Sequence, residues 1–366
     1  MTPHNHTIMT TSTQKPKITD ILLEAVDGKP GLAPALTRAT LRGLALLHGV
    51  VLEIDLACYA LGLAKVTKLP AEVISVGNLS MGGTGKTLAV LKLTRELTAA
   101  GRKVAILSRG YRRKSHDEIA VVSTPAGIRL TVPEAGDEPY LLASLLPGIP
   151  VVVGKNRRVT GRYAIDTFGV DTLILDDGFQ YWRLHKDHEI VLLDALQPAT
   201  RDHLLPRGLF REPWSHLRRA QEVWITHAQL AAPERVAQLA RRVARYAPRA
   251  HMRATEHGPV RLRAATGETR ELATLRGVGV LALSGLGNPQ QFETMLANLG
   301  AEVAPCRYPD HHPYTAADLA DIAAQAGDLL VVTTAKDAAR LPADTPFTYW
   351  IADVELVDVP FMLPPG

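Results

Sequence analysis

Val73-Ile74-Ser75-Val76-Gly77-Asn78-Leu79-Ser80-Met81-Gly82-Gly83-Thr84-Gly85-Lys86-Thr87 is the stretch whose reading decides the fold. Four residues of buried-strand type, 73–76, run into a loop with glycines at 77, 82, 83 and 85. Lys86-Thr87 then open an apolar, helix-prone segment, 88–97. Strand, glycine-rich loop and helix in that order make a phosphate cradle. Glycines let backbone N–H groups turn inward, the helix start adds partial positive charge, and the lysine meets the outer phosphates. The candidate nucleotide contacts are Ser80, Met81, Gly82, Gly83, Thr84, Gly85, Lys86 and Thr87, with the Thr87 hydroxyl placed for Mg2+. The strict pattern asks for glycine where Ser80 stands, and a glycine-rich turn with an incidental lysine is the competing reading.

Outward from this loop, short β-branched runs at 73–76, 104–107, 151–153, 172–175, 190–193 and 223–226 alternate with helical stretches at 87–100, 139–146 and 157–168. That alternation predicts a P-loop NTPase-like α/β fold, a parallel sheet with helices on both faces. Residues 118–122 and 128–132 read as an inserted hairpin. Six arginines between 235 and 253 read as a solvated helix face. A second β/α series follows at 278–283, 289–299, 301–305, 316–325 and 329–333. The expected organisation is a weakly structured start at 1–34, an amphipathic helix within 35–70, a P-loop core at 71–230 and a second, smaller α/β lobe at 231–366.

The chain has 366 residues, room for one large or two ordinary domains, and its 46% hydrophobic content suits a packed core. A net charge of +4 lacks the excess expected of a nucleic-acid binder, so no nucleic-acid partner is expected. Cys58 and Cys306 lie far apart without metal-ligand spacing, which fits a reducing compartment. The first twenty residues are polar, lack the apolar core of a signal peptide and read as a disordered start.

Between 35 and 64, Leu44, Leu47, Val51, Ile54, Cys58 and Leu61 form a helical stripe that further leucines and valines widen. Crossing a bilayer takes about 20 mostly apolar residues. Arg38, Arg42, Glu53 and Asp55 interrupt this run, so a helix lying in the membrane interface fits better. A helix packed on the globular core is the alternative.

Leu173-Ile174-Leu175-Asp176-Asp177-Gly178-Phe179-Gln180 is a buried strand ending in two acids, where a P-loop protein brings carboxylates to the magnesium shell. A turn built on Asp-Asp-Gly is the plainer reading. In Thr334-Ala335-Lys336-Asp337 the lysine and aspartate are adjacent, which fails the guanine-recognition spacing. Met81 stands where related dimeric ATPases carry a second lysine. Both absences point toward a small-molecule kinase.

The chain resembles a known family through motifs in one order: Gly77-Asn78-Leu79 with Gly82-Gly83-Thr84-Gly85-Lys86-Thr87, Ser108-Arg109-Gly110-Tyr111, Gly136-Asp137-Glu138-Pro139, Asp176-Asp177-Gly178-Phe179-Gln180, Leu205-Pro206 with Gly208 and Arg211-Glu212, and Pro309-Asp310-His311-His312. Together these are similar to the tetraacyldisaccharide 4'-kinases, the lipid A 4'-kinases of bacteria with an outer membrane. That family tolerates a non-glycine at the position of Ser80. The resemblance implies phosphoryl transfer from ATP, with Mg2+, to the 4'-hydroxyl of a tetraacylated glucosamine disaccharide 1-phosphate. It implies that Asp137 and His311 act together on the hydroxyl proton, alongside Lys86, and that Thr87, Asp176 and Asp177 serve the metal. From spacing alone Asp137 reads as a helix N-cap, and His312 is easily confused with His311.

Arg109, Arg207 and Arg211 are candidates for gripping the substrate's phosphate, and Lys155, Arg157 and Arg158 could serve likewise. Asp194 reads as structural. The implied partners are the acylated lipid and the inner-membrane surface, with no obligate protein partner evident. The implied location is the cytoplasmic face of the bacterial inner membrane, peripheral or monotopic. The rivals are a P-loop kinase or ligase with a soluble acceptor, which needs no apolar helix, and a non-enzymatic nucleotide switch such as a metallochaperone.

Overall fold

A computed structural model describes residues 32–360 apart from 112, 115, 116, 311 and 343; the side chains of 32–34 are also outside it. The start expected at 1–34 therefore lies almost wholly outside the described residues, and so does His311.

The chain begins with a long helix α1 (Leu32–Ala60). Next come β1 (Glu72–Asn78), α2 (Lys86–Ala99), β2 (Val104–Ser108), β3 (Ala120–Thr124) and β4 (Gly127–Ile128). α3 (Val132–Ala135), α4 (Asp137–Leu145), β5 (Val151–Val153), α5 (Arg157–Phe168), β6 (Thr172–Asp176), β7 (His188–Asp194) and β8 (Glu222–Thr226) complete the first series. The inserted hairpin is present, but its second arm is only β4, because Pro133 and a Thr131/Glu134 capping box start α3 at Val132.

The second series holds α6 (Pro233–Tyr246), β9 (His251–Ala264), β10 (Thr269–Arg270), β11 (Gly279–Ser284), α7 (Pro289–Asn298) and β12 (Glu302–Arg307). α8 (Ala316–Ala326), β13 (Leu330–Thr334), α9 (Ala335–Ala338) and β14 (Tyr349–Val359) close the chain. One continuous sheet runs β12-β11-β13-β14-β9-β8-β7-β1-β6-β2-β5-β3-β4, with β10 on β9. β1, β2, β5, β6, β7 and β8 are parallel to their neighbours in this group, so their C-terminal ends share one edge. They are apolar almost throughout because helices cover both faces.

The two series are joined by β9 and β14, an antiparallel pair absent from the sequence reading. β9 alternates arginines with apolar residues and carries Gly258-Pro259, which reads as a turn. The register shift between Asp353 and Val354 falls where Pro259 cannot donate to the ladder, so the strand continues through the proline. Leu356 of β14 is buried in the same core as α2, which locks the second series onto the first.

α1 is not a core helix. Leu41 and Ala45 are buried, but Leu36, Leu44, Leu46, Leu47, Val50, Val51 and Ile54 are exposed. By length and composition Ala35–Ala60 could cross a membrane. Its inner side is instead held along the body: His48 Nδ1 lies 3.1 Å from the Leu205 carbonyl, His216 Nε2 lies 3.1 Å from Glu53, and Tyr59 meets Trp182 edge-on at 5.9 Å.

Gly77 is where β1 and the turn after β6 touch. A Cβ there would lie 2.5 Å from the Phe179 Cβ and 2.8 Å from its backbone nitrogen, whereas one at Gly83 would meet nothing within 4 Å. Gly77→Ala is expected to lower unfolding free energy by about 1–3 kcal/mol. Gly83→Ala should change it by less than about 0.5 kcal/mol. Urea denaturation of both checks this, and equal costs would contradict the packing.

Candidate active site

Parallel pairing puts Val76 opposite Asp176, and Leu107 of β2 opposite Leu175. The loop after β1, the Ser108-Arg109-Gly110 turn after β2 and the acid pair after β6 therefore meet at one sheet edge, the usual ligand position in such folds. Two braces hold the loop. Asn78 Nδ2 donates to the Thr84 hydroxyl at 2.9 Å inside the core. The segment 209–211 runs alongside: Met81 N donates to Leu209 O at 2.7 Å, and Arg211 N to Leu79 O at 2.6 Å. Ser80 is buried and pairs with Phe210, while Met81 is exposed.

Lys86 Nζ lies 3.7 Å from Asp177 Oδ1. Asp177 has a φ of 55°, a left-handed conformation that aspartate tolerates better than most residues. Its carboxylate is gripped by Arg211 in a two-pronged fork at 2.9 and 2.7 Å. Burial works against its charge, but the Arg211 hydrogen bonds and the Lys86 charge outweigh that and hold Asp177 at about 2. Arg211 also bonds Asn78 Oδ1, so one guanidinium ties the β1 end to the acid turn.

Asp176 differs. It is buried, Ser108 donates to its Oδ2 at 3.0 Å, and its Oδ1 has no partner. Burial, then the charges of Glu138 and Asp177, push it up to about 7 against the pull of Lys86. A buried carboxylate with an orphan oxygen, next in the chain to a second acid, fits a divalent cation. No cluster of three or more His, Cys, Asp or Glu is preassembled among the described residues. Magnesium is usually held by one or two carboxylates together with phosphates and water.

Asp137 is the first residue of α4; Gly136, at a φ of 89°, holds the N-cap position, so the sequence-based cap assignment shifts by one residue. Asp137 is half-buried, and the charge of its neighbour Glu138 is close enough to act on Asp176. α4 also packs against α9 of the second series. There Asp337 is a buried hub, accepting from Gly285 N (2.9 Å), the Tyr314 hydroxyl (2.9 Å), Arg340 (3.0 Å) and the Thr334 hydroxyl (2.7 Å). Gly285 also lies against Pro309, whose carbonyl is 3.1 Å from where a Cβ on Gly285 would be. His312 Nε2 lies 3.0 Å from Asp318 Oδ2 in the capping box of α8, and its ring stacks on Tyr308, so it is committed to structure.

Among the arginines, Arg109 is exposed after β2. Arg207 is buried, donating to the Thr200 carbonyl at 3.3 Å, and its charge acts on His203. Arg157 is buried close enough to Asp176, Asp177 and Arg109 to feel all three charges. Arg158 bonds Asn156. Glu138 and Ser108 were missed as site residues; their places inside the quoted motifs were the available signal.

The family described as Tetraacyldisaccharide-1-P 4'-kinase matches residues 37–360. A tetraacyldisaccharide 4'-kinase of Anaeromyxobacter dehalogenans is 46% identical over 324 residues, 87% of this chain and 82% of that protein. One of Syntrophus aciditrophicus is 40% identical over 313 residues, 80% and 81% respectively. The crystal structure of LpxK from Aquifex aeolicus in complex with ATP superposes with a TM-score of 0.70 at 32% identity, covering 87% of this chain and 95% of that one.

The raised Asp176 carboxyl has a stability consequence. Its folded value lies above the ordinary 3.8, so the native state keeps the proton longer and this group's contribution to stability falls as pH rises from about 4 to about 7. Asp176→Asn should therefore melt higher than the wild type at pH 8 without nucleotide or Mg2+, and the gain should vanish near pH 4. Melting curves across pH check it; a gain that persists at pH 4 would contradict the assignment.

Proposed function

The chain belongs to the tetraacyldisaccharide 4'-kinase family, and from that premise we propose how its residues divide the work. The protein is an ATP-dependent kinase of lipid A biosynthesis that phosphorylates the 4'-hydroxyl of a tetraacylated disaccharide 1-phosphate. Neither a soluble-acceptor kinase nor a non-enzymatic switch is favoured. The observation that carries the site reading is Lys86 Nζ at 3.7 Å from Asp177, with buried Asp176 next in the chain.

In this reading the backbone N–H groups of the loop 80–87 cradle the triphosphate and Lys86 meets its outer oxygens. Thr87, Asp176 and Asp177 are the groups that would hold Mg2+, which when bound neutralises charge on the phosphate oxygens. The 4'-oxygen forms its bond to the γ-phosphorus as the bond to the β–γ bridging oxygen breaks. Asp137, with His311, accepts the hydroxyl proton. Arg109, Arg207 and Arg211 are assigned to the acceptor's phosphate, and the Arg211 fork on Asp177 would couple that grip to the acid turn.

For the surface on which this happens, we propose the membrane interface, with α1 lying on the bilayer of the inner membrane's cytoplasmic face. Its apolar side is exposed while its inner side is tied down at Leu205, His216 and Trp182. Beside this seat a cavity of about 580 Å³ is lined by His203, Trp214, Arg241, Arg242 and Arg245. Its one acid, Asp202, receives the Arg235 fork at 2.7 and 3.0 Å and lies 3.7 Å from Arg242, which leaves Arg241 and Arg245 as surplus positive charge for anionic headgroups. The two-lobe organisation is retained as a proposal, with the β9–β14 pair as the connection between lobes.

Incubation with labelled ATP and the lipid disaccharide 1-phosphate, followed by separation of lipid products, tests the catalytic assignment. Lys86→Ala and Asp137→Ala should each lose at least about 10²-fold in kcat with an unchanged circular dichroism spectrum; wild-type turnover in either removes that residue from its role. Leu46→Glu with Val50→Glu should abolish sedimentation with anionic vesicles while leaving kcat in detergent within twofold. Undiminished sedimentation would remove the interfacial assignment.

A further inference from the structure

Three residues outside the described site form a chain that ends on the phosphate loop. Asp194 closes β7, His227 follows β8, and His257 lies in β9. Asp194 Oδ1 is 2.8 Å from His227 Nδ1, and His227 Nε2 is 3.1 Å from His257 Nδ1. The two rings are 4.1 Å apart between centroids. The far nitrogen of His257, Nε2, is shielded from solvent without a hydrogen-bond partner among the described residues. It sits 2.7 Å from where a Cβ on Gly85 would be.

Such a chain is expensive to build for stability alone. His227 is buried with a φ of 56°, a left-handed conformation that a non-glycine residue keeps where surrounding structure enforces it. A buried polar network with an unpaired end is also costly. Burial, followed by the charge of His227, lowers His257 to about 4, so its ring is neutral at pH 7; Asp194 and Lys336 are the other charged groups acting on it. One proton lies between His227 Nε2 and His257 Nδ1, and the other nitrogen of His257, Nε2, is left toward the loop. Gly85 immediately precedes Lys86 and has a φ of 86°, so the ring fills the space that glycine leaves at the hinge between loop and helix.

We propose that Asp194–His227–His257 is a positioning relay for the phosphate loop, in which the first two residues fix the ring of His257 against Gly85 so that the loop is preformed for ATP. None of the three touches the reacting atoms in this proposal. It rests on the loop being the nucleotide seat, and Lys86→Ala serves as the reference for that premise.

The test measures steady-state kinetics and ATP affinity by calorimetric titration on the full-length protein in detergent. His257→Ala and His227→Ala are expected to raise KM for ATP at least fivefold and weaken ATP binding by the same factor, with kcat within twofold and KM for the lipid unchanged. The double variant should be no worse than His257→Ala, because His227 acts only through His257. Asp194→Ala, remote from the loop, should show the same trend, and Asp194→Asn, which keeps an acceptor oxygen, should restore wild-type KM. A merely structural role would lower melting temperature and leave KM for ATP unmoved. Unchanged ATP affinity in folded His257→Ala or Asp194→Ala, or additive effects of the two histidines, overturns the proposal. If Lys86→Ala binds ATP normally, the premise about the loop falls instead.

Discussion

Everything at the site depends on the parallel pairing of β1 with β6. That register places Val76 beside Asp176, so a loop leaving one strand and an acid pair leaving the other are adjacent before any side chain is chosen. Close contact makes the pairing specific: Phe179 fills the space over Gly77, and Ser75 and Leu175 fill the space over Gly178. Lys86 then reaches Asp177 at 3.7 Å without a flexible connection. Covering helices keep both strands dry, which makes the acids' charges consequential rather than screened.

Two neighbouring carboxylates are thereby given different characters. Asp177 is exposed enough to be gripped by Arg211 and stays ionised, whereas Asp176 lies under the loop with one oxygen unpaired and resists ionising. A cation entering between them would be met by one charge already present and one released as it binds. The positive groups are arranged accordingly: Lys86 and Arg211 neutralise the outer acid, while buried Arg157 supplies a more distant field.

The first series was legible in the sequence because its strands are uniformly apolar and its helices separate them at regular intervals; 151–153 and 157–168 coincide with β5 and α5. The acid pair and the loop were legible for the same reason, each following an apolar strand. The long strands β9 and β14 were not, because one carries polar residues and a Gly-Pro pair in mid-strand, and partnership with a distant segment overrides that local signal. The relay through His257 was hidden with them, since a histidine in an unrecognised strand has no visible neighbour.

The segment 204–212 links the two unusual parts of the molecule. Leu204 and Leu205 meet Gly49 and His48 of α1, while Phe210 pairs with Ser80, Leu209 accepts from Met81, and Arg211 forks onto Asp177. Four steps along the chain, Leu205 to Leu209, therefore lead from contact with the exposed apolar helix to contact with the phosphate loop, at most about 14 Å of chain. Glu212, the next residue, bonds His216, whose other nitrogen meets Glu53 of α1, and Arg219, which lies on the ring of Phe179 in the acid turn. The exposed apolar helix and the glycine-rich loop after β1 are thus mounted on the same short scaffold, so their separation is set by packing rather than by a tether.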